Sequence, residues 1–259
     1  MLPQTFVHVP GIGRTTERSL WSQGCRDWST YLSSPLSYSI GSACRTVACD
    51  ELKRSNECLQ EGRHQYFQKG LGMAEAWRAF PHFEHSCAYL DIETEGGAGA
   101  DAVTMIGIYD GSEFTCLIKG ENLENFRDLI SRFSLIVTFF GAGFDLPMLQ
   151  KRFPGLQFDQ IHIDLCPTLK RIGFKGGLKK IEREAGIQRS PETAGLSGLD
   201  AVRLWRQYAR FGRTSALETL IAYNREDVVN LQKLARLAYR RLSEESIGSV
   251  QQTLELAGA

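Results

Sequence analysis

The seven cysteines, Cys25, Cys44, Cys49, Cys58, Cys87, Cys116 and Cys166, include no C-x-x-C pair. That absence argues against a paired-thiolate metal or redox motif, and the odd count argues against a complete disulfide framework. Reduced thiols are expected, several of them buried as small hydrophobes. Cys49, Cys58 and His64 could be drawn together, but their spacing fits no common zinc pattern, so they read as structural. No apolar run approaches the roughly 18 residues of a membrane span; the stretch from Leu135 to Gly143 stops far short. The N-terminus lacks a basic flank ahead of an apolar stretch of about 7–15 residues, so no secretory signal is expected. A cytoplasmic protein without membrane contact follows from these absences. There is no G-x-x-x-x-G-K-[ST] loop, which disfavours a P-loop nucleotide hydrolase. Repeats with a period of about 20–50 residues and low-complexity tracts are also missing. Net charge is missing too: 30 Lys and Arg balance 30 Asp and Glu, which excludes a binder working by bulk positive charge.

What is present is ordinary globular composition. Of 259 residues, 42% are hydrophobic and 23% charged, so a disordered or fibrous chain is excluded and one large or two unequal domains are expected. The charge is unevenly spread. Residues 86–150 hold 3 Lys and Arg against 10 Asp and Glu, and residues 151–241 hold 18 against 9. An acidic segment can hold hard cations and a basic one phosphates, which suits metal-assisted work on a polyanion. Basic residues lining the solvent faces of helices account for the same pattern equally well.

Residues 1–85 read as a small, loop-rich and mostly helical region, with one helix-period stretch from about Ala48 to Lys69. The texture changes after Phe83. Ala88–Ile92, Val103–Tyr109 and Phe114–Ile118 are short β-rich runs, separated by turn signals at Gly96–Gly99 and Asp110–Gly111. They predict a three-stranded antiparallel meander. A helix is expected over Leu123–Phe133, with Phe126, Leu129, Ile130 and Phe133 on one face, then a buried strand over Leu135–Phe140. Another helix fits Phe144–Phe153, and a last short strand Gln160–Leu165. From Leu178 to about Leu242 the pattern is helical, broken near Arg189–Ser197 and at Gly212. The expectation is an α/β domain over residues 86–242, a mixed sheet covered by helices, with a tail at 243–259.

Three groups of polar residues stand out. Asp91 and Glu93 end the first strand at i and i+2, so both carboxylates face one side, a repulsion that a cation would relieve. Alone, the pair reads more readily as a solvated strand end. Asp145 follows the buried strand in Phe139-Phe-Gly-Ala-Gly-Phe-Asp, at the carboxyl end where ligands gather in α/β sheets. It equally suits a cap for the following helix, with Pro147 in the first turn. Tyr223 and Asp227 lie at i and i+4, on one helical face. Leu217, Leu220, Ile221, Val228 and Leu231 pack that helix, so Asp227 borders an apolar surface where a bare carboxylate is costly.

In that order, Asp-x-Glu on a first strand, Phe-Asp after a glycine turn and Tyr-x-x-x-Asp on a late helix resemble the DEDD exonuclease superfamily, in its tyrosine subclass. Tyr89-Leu-Asp-Ile-Glu-Thr, His162-Ile-Asp-Leu, Gly177-Leu-Lys-Lys-Ile-Glu182 and Tyr223-Asn-Arg-Glu-Asp-Val look like the YprB-like branch. The resemblance spans about residues 86–242 and implies a ribonuclease H-like fold and metal-dependent 3′–5′ hydrolysis of nucleic acid. It implies two ions, Mg²⁺ or Mn²⁺, held by Asp91, Glu93, Asp145 and Asp227, with Tyr223 orienting the attacking water and no organic cofactor. Phe140 stands where that branch usually carries Asn, a departure that favours a rival reading, a nucleic-acid-binding module whose site has decayed. Asp164 is a weaker candidate, either supporting the site or capping a turn. Lys179 and Lys180 open a helix beside Gly176 and Gly177 and are candidate phosphate contacts, although such lysines are often only solvated.

Val9-Pro-Gly-Ile-Gly13, followed by Arg14 to Gly24, resembles the hairpin and second helix of a helix-hairpin-helix unit. That resemblance implies phosphate contact at the backbone of Gly11 and Gly13. A compact glycine turn before a structural helix explains the segment as well.

Overall fold

The computed structural model describes residues 1–257; the last two residues of the expected tail, 258 and 259, lie outside them. The chain divides into two compact units, residues 1–83 with the part of the last helix from Tyr239 onward, and Glu84–Ala238.

The first unit is more helical than its loop-rich sequence suggests. A 3₁₀ turn at Leu2–Gln4 is followed by α1 (Arg14–Ser22), α2 (Trp28–Ser33), α3 (Ser42–Gln60), α4 (His64–Glu75) and the short α5 (Phe80–Phe83). The single helix expected over Ala48–Lys69 is therefore two. Gly62, at φ 67°, takes the left-handed conformation that ends α3, and the chain restarts at His64. Phe6, Trp28, Tyr31, Phe67 and Phe83 are buried together, with Trp28 and Phe67 stacked at 6.2 Å. Beside them Arg78 is buried between Glu17, at 2.9 Å, and Glu75, at 2.5 Å. Glu17 also accepts the backbone N–H of Phe6 at 2.6 Å, so the N-terminal segment is tied to α1.

The second unit holds a five-stranded mixed sheet in the order β3-β2-β1-β4-β5. The strands are β1 (Cys87–Thr94), β2 (Val103–Tyr109), β3 (Phe114–Ile118), β4 (Leu135–Thr138) and β5 (Ile161–Asp164). β1, β2 and β3 pair antiparallel, while β4 runs parallel to both β1 and β5. The expected meander and added parallel strands are thus present. The helices are α6 (Phe126–Ile130), α7 (Asp145–Arg152), α8 (Leu165–Arg171), α9 (Leu178–Glu184), α10 (Gly198–Phe211) and α11 (Thr214–Ala257). The helix expected over Leu123–Phe133 begins as a 3₁₀ turn at Leu123–Asn125 and is regular only in α6. α8 lies in a stretch where no helix was expected. α11 continues beyond Leu242, where the tail was expected to begin.

Side chains alternate across β1. Ala88, Leu90 and Ile92 join Ile106, Ile136, Phe126, Ile130, Met148 and Leu149 in the core beneath α6 and α7. The other face of the sheet carries Met105 and Ile118 and is covered by Ala201 and Trp205 of α10 and Leu220 and Tyr223 of α11. Full burial of each large apolar side chain contributes roughly 1.5–3 kcal/mol, so the register that sends Leu90 and Ile92 into one core commits Asp91 and Glu93 to the opposite face. All seven cysteines are free, with Cys25, Cys58 and Cys87 buried. Among the described residues, no helix is long and apolar enough to cross a membrane.

Candidate active site

β1 and α11 bring their carboxylates together. Asp91, Glu93 and Asp227 each place an oxygen within 4.8 Å of the others, a spacing that could hold a metal ion. Glu93 and Asp227 are buried, and Asp91 is partly exposed. Burial, and then the neighbouring charges of Asp227, Asp145 and Glu93, push the Asp91 carboxyl well above its ordinary range. Burial followed by the Asp227 charge raises Glu93 to about 8. For Asp227 burial dominates and Arg189 partly offsets it, giving a value of about 6. Three crowded carboxylates with raised pKa values are what a bound cation would stabilise in ionised form, so the residues present fit a hard divalent ion.

Asp145 stands beside this trio rather than within it. Phe144, not Asp145, occupies the cap position of α7, and it makes no capping bond. Oδ1 of Asp145 instead accepts the backbone N–H of Ile92 at 3.2 Å, the residue between Asp91 and Glu93. Burial raises its carboxyl to about 7, and the charges of Asp164 and Asp227 push the same way.

Asn224 was not anticipated. Its Nδ2 donates to Asp91 Oδ2 at 3.0 Å and to Glu93 Oε1 at 3.5 Å, bridging the pair that repels. It packs against Gly107, which pairs with Asp91 across the sheet; a Cβ at Gly107 would overlap the Asn224 amide. Arg189 was also missed. Its side chain is buried, donates to Glu182 at 2.6 and 2.8 Å, and forms an ion pair with Asp227. Asn230 Nδ2 holds the same Glu182 at 3.1 Å. A signal existed for Glu182, which ends one of the motif segments. Nothing in the sequence pairs Arg189 with a residue 38 positions away.

Tyr223 is buried on the same face of α11, and burial with the nearby Asp227 and Glu93 charges raises its hydroxyl pKa. Lys179 Nζ lies 4.2 Å from the centre of the Tyr223 ring and donates to the Leu196 carbonyl. Burial lowers its pKa although the Asp227 charge opposes that. Lys180 is exposed and paired with Glu184 at 3.6 Å.

Asp164 is the N-cap of α8, accepting from Cys166 N at 3.0 Å. It also accepts from Phe140 N at 2.8 Å and Ala142 N at 3.1 Å, so it shapes the turn leading to Asp145. In the first unit Gly11 has φ 85° and Gly13 is the cap residue of α1; both are exposed. Only the 3₁₀ turn at Leu2–Gln4 precedes them as helical structure. Cys49, Cys58 and His64 form no metal-ligand group among the described residues.

The family model RNase_H_2, described as RNase_H superfamily, matches residues 88–239, from the first strand of the sheet into α11. The chain belongs to the RNase_H superfamily. The mixed sheet with its helical cover is the fold of that superfamily in this protein. No curated protein matches the chain. Among solved structures it is similar to the family B DNA polymerase from the hyperthermophilic archaeon Pyrobaculum calidifontis. The identity is 17% and the TM-score 0.45, over 61% of this chain and 24% of the polymerase chain. The chain therefore spans about a quarter of that polymerase's length.

Proposed function

We propose that this RNase_H superfamily protein is a metal-dependent nuclease that hydrolyses phosphodiester bonds of DNA or RNA from the 3′ end. The observation that carries the reading is the meeting of Asp91, Glu93 and Asp227, all raised in pKa, with Asn224 joining Asp91 to Glu93. Such a cluster is unfavourable without a cation and has no evident structural benefit. Asp91, Glu93, Asp145 and Asp227 would hold two divalent ions, Mg²⁺ or Mn²⁺. When bound, these ions supply Lewis-acid activation of water and neutralise charge on the phosphate.

The chain's own residues supply the rest. Tyr223, beside the cluster, orients the attacking water through its hydroxyl, which burial keeps protonated. Asn224 keeps Asp91 and Glu93 at a fixed separation, and Asp145 tethers the glycine turn to β1. Lys179, held over the Tyr223 ring, places positive charge at the edge of the site where a phosphate would lie. Gly11 and Gly13 offer backbone N–H groups as a separate, weaker phosphate contact. The ion pair of Arg189 with Asp227 favours a second reading, a nucleic-acid-binding module without turnover, because it engages a carboxylate the metals need.

The deciding experiment uses 3′- and 5′-labelled DNA and RNA oligonucleotides with Mg²⁺, Mn²⁺ or EDTA. Stepwise shortening from the 3′ end is expected with metal and not with EDTA. Asp227→Asn should abolish it, and Tyr223→Phe should slow it by roughly 10²–10⁴-fold while leaving metal binding intact. Binding of oligonucleotides with no cleavage under any metal would replace the nuclease by the binding module.

A further inference from the structure

The first unit holds a pocket of about 410 Å³, lined by residues of that unit alone. None of them belongs to the carboxylate cluster, and neither Gly11 nor Gly13 is among them. The pocket lies between α3, which contributes Glu51 and Arg54, and α4, which contributes Tyr66 and Lys69. The i, i+3 spacing puts each pair on one helical face. Arg63 lines it at the bend that joins the two helices, and His8 lines it from the N-terminal segment. Gly70 lets α4 come this close, since a Cβ there would lie 3.1 Å from Cβ of His8. Arg54, Arg63 and Lys69 are exposed cations at its mouth. Arg63 pairs with the exposed Glu61 at 2.6 Å, and the Arg54 guanidinium lies 5.5 Å from the centre of the Tyr66 ring. Glu51 is the one carboxylate of the lining, and it accepts the Tyr66 hydroxyl at 2.7 Å. Three cations against one engaged carboxylate make a mouth that draws in anions, phosphate above all.

The inner wall asks for something else. His8 is 7% exposed. Ser55 Oγ donates to the Glu51 carbonyl at 2.6 Å, which commits its only hydrogen. Toward His8 Nε2, 2.8 Å away, Ser55 is therefore an acceptor, and the imidazole proton is assigned to Nε2. Burial, and then the charge of Arg78, lower the His8 pKa to about 4, so the ring is neutral. Nδ1 is left as a bare acceptor, buried and without a hydrogen-bond partner. A buried acceptor is unfavourable until a donor reaches it. We infer that this pocket is a second ligand site, independent of the nuclease reading, for a small phosphorylated compound that also carries an N–H or O–H donor. Its phosphate lies at Arg54, Arg63 and Lys69, and its donor meets His8 Nδ1. A nucleoside monophosphate has both groups, with a flat base to lie along the Tyr66 side of the pocket.

The test is isothermal titration calorimetry on the full chain in EDTA, with adenosine monophosphate, adenosine and inorganic phosphate as probes. EDTA removes phosphate binding through metal at the carboxylates. The monophosphate should bind at least about tenfold more tightly than either part alone. In protein labelled with ¹⁵N-histidine, the His8 Nδ1 resonance should move with the monophosphate and stay still with inorganic phosphate. Arg54→Gln combined with Lys69→Gln, both at exposed positions, should weaken the monophosphate by about tenfold or more. His8→Phe keeps a ring against Trp28 and Phe67 and removes the acceptor. It should weaken the monophosphate and spare inorganic phosphate; if it folds poorly, the exposed pair and the resonance still decide. Asp227→Asn should bind the monophosphate like wild type. Three results overturn the site and leave the nuclease reading in place: no binding of the monophosphate at millimolar concentration, an unmoved Nδ1 resonance at saturation, or equal affinity in the Arg54→Gln, Lys69→Gln variant. Binding lost in Asp227→Asn also overturns it, by placing the ligand at the carboxylate cluster.

Discussion

At the scale of single residues, Gly107 has the least obvious part in the site. It is a strand glycine with ordinary backbone angles, opposite Asp91, and its missing Cβ is the space into which the Asn224 amide fits. Gly107→Ala should therefore displace Asn224 from Asp91 and Glu93. A loss of about 1–3 kcal/mol in stability is expected from overpacking, together with a fall in metal-dependent cleavage. Chemical denaturation and the oligonucleotide assay check the two effects separately; full activity in this variant would remove Asn224 from the site. Asp91 and Glu93 were legible as a pair because strand periodicity alone puts i and i+2 on one face, and Asp227 because i, i+4 does the same on a helix. Asn224 was not legible. It lies one residue from Tyr223 in a quoted motif, but its role comes from a neighbour 133 positions away.

At the scale of elements, the turn between β4 and α7 depends on Asp164 at the end of β5. One carboxylate accepts three backbone N–H groups, from Phe140, Ala142 and Cys166. Asp164→Ala should cost on the order of 3 kcal/mol, since it leaves these donors without their charged acceptor and uncaps α8. Cleavage should fall as well, because Asp145 is carried on the same turn. Thermal melting with an activity assay checks this, and an unchanged melting temperature would mean that the turn holds itself. Periodicity located all five strands within two residues at either end. β4 stops at Thr138, short of the expected Phe140, because the left-handed turn at Phe140 begins there. α3 and α4 read as one helix because apolar spacing continues across Gly62, and only its backbone conformation separates them. α10 shows a cleaner signal, a capping box at Ser197 and Asp200 and a left-handed Gly212 at its end.

At the scale of the molecule, the carboxylate cluster ties stability to pH and to metal. Glu93 at about 8, Asp145 at about 7 and Asp227 at about 6 all lie above their ordinary values, so the folded protein without metal binds more protons than the unfolded chain. Its stability should be greatest near the ordinary carboxylate range and decline as pH rises through about 6 to 8. Millimolar Mg²⁺ or Mn²⁺ should reverse the decline at pH 8, because ions that bind only the folded state stabilise it. Melting temperatures at pH 5 and pH 8, with EDTA and with metal, check the sign. A melting temperature that rises with pH in EDTA, or ignores both ions at pH 8, would contradict the electrostatic account of the cluster.

By itself the sequence determined the order of the five strands, the helices around them apart from α8, and the paired placement of its carboxylates, because these follow from local periods of two and 3.6 residues. It also carried the match to the RNase_H superfamily over residues 88–239. Only the tertiary structure decided that Asn224 joins Asp91 to Glu93, that Arg189 links Glu182 to Asp227, and that Asp164 shapes a turn instead of joining the cluster. It alone left Phe140 with a positive φ and exposed just past the end of β4. These arrangements depend on contacts between elements distant in the chain, where the packing of β1 against α11, and not local spacing, sets which polar atoms meet.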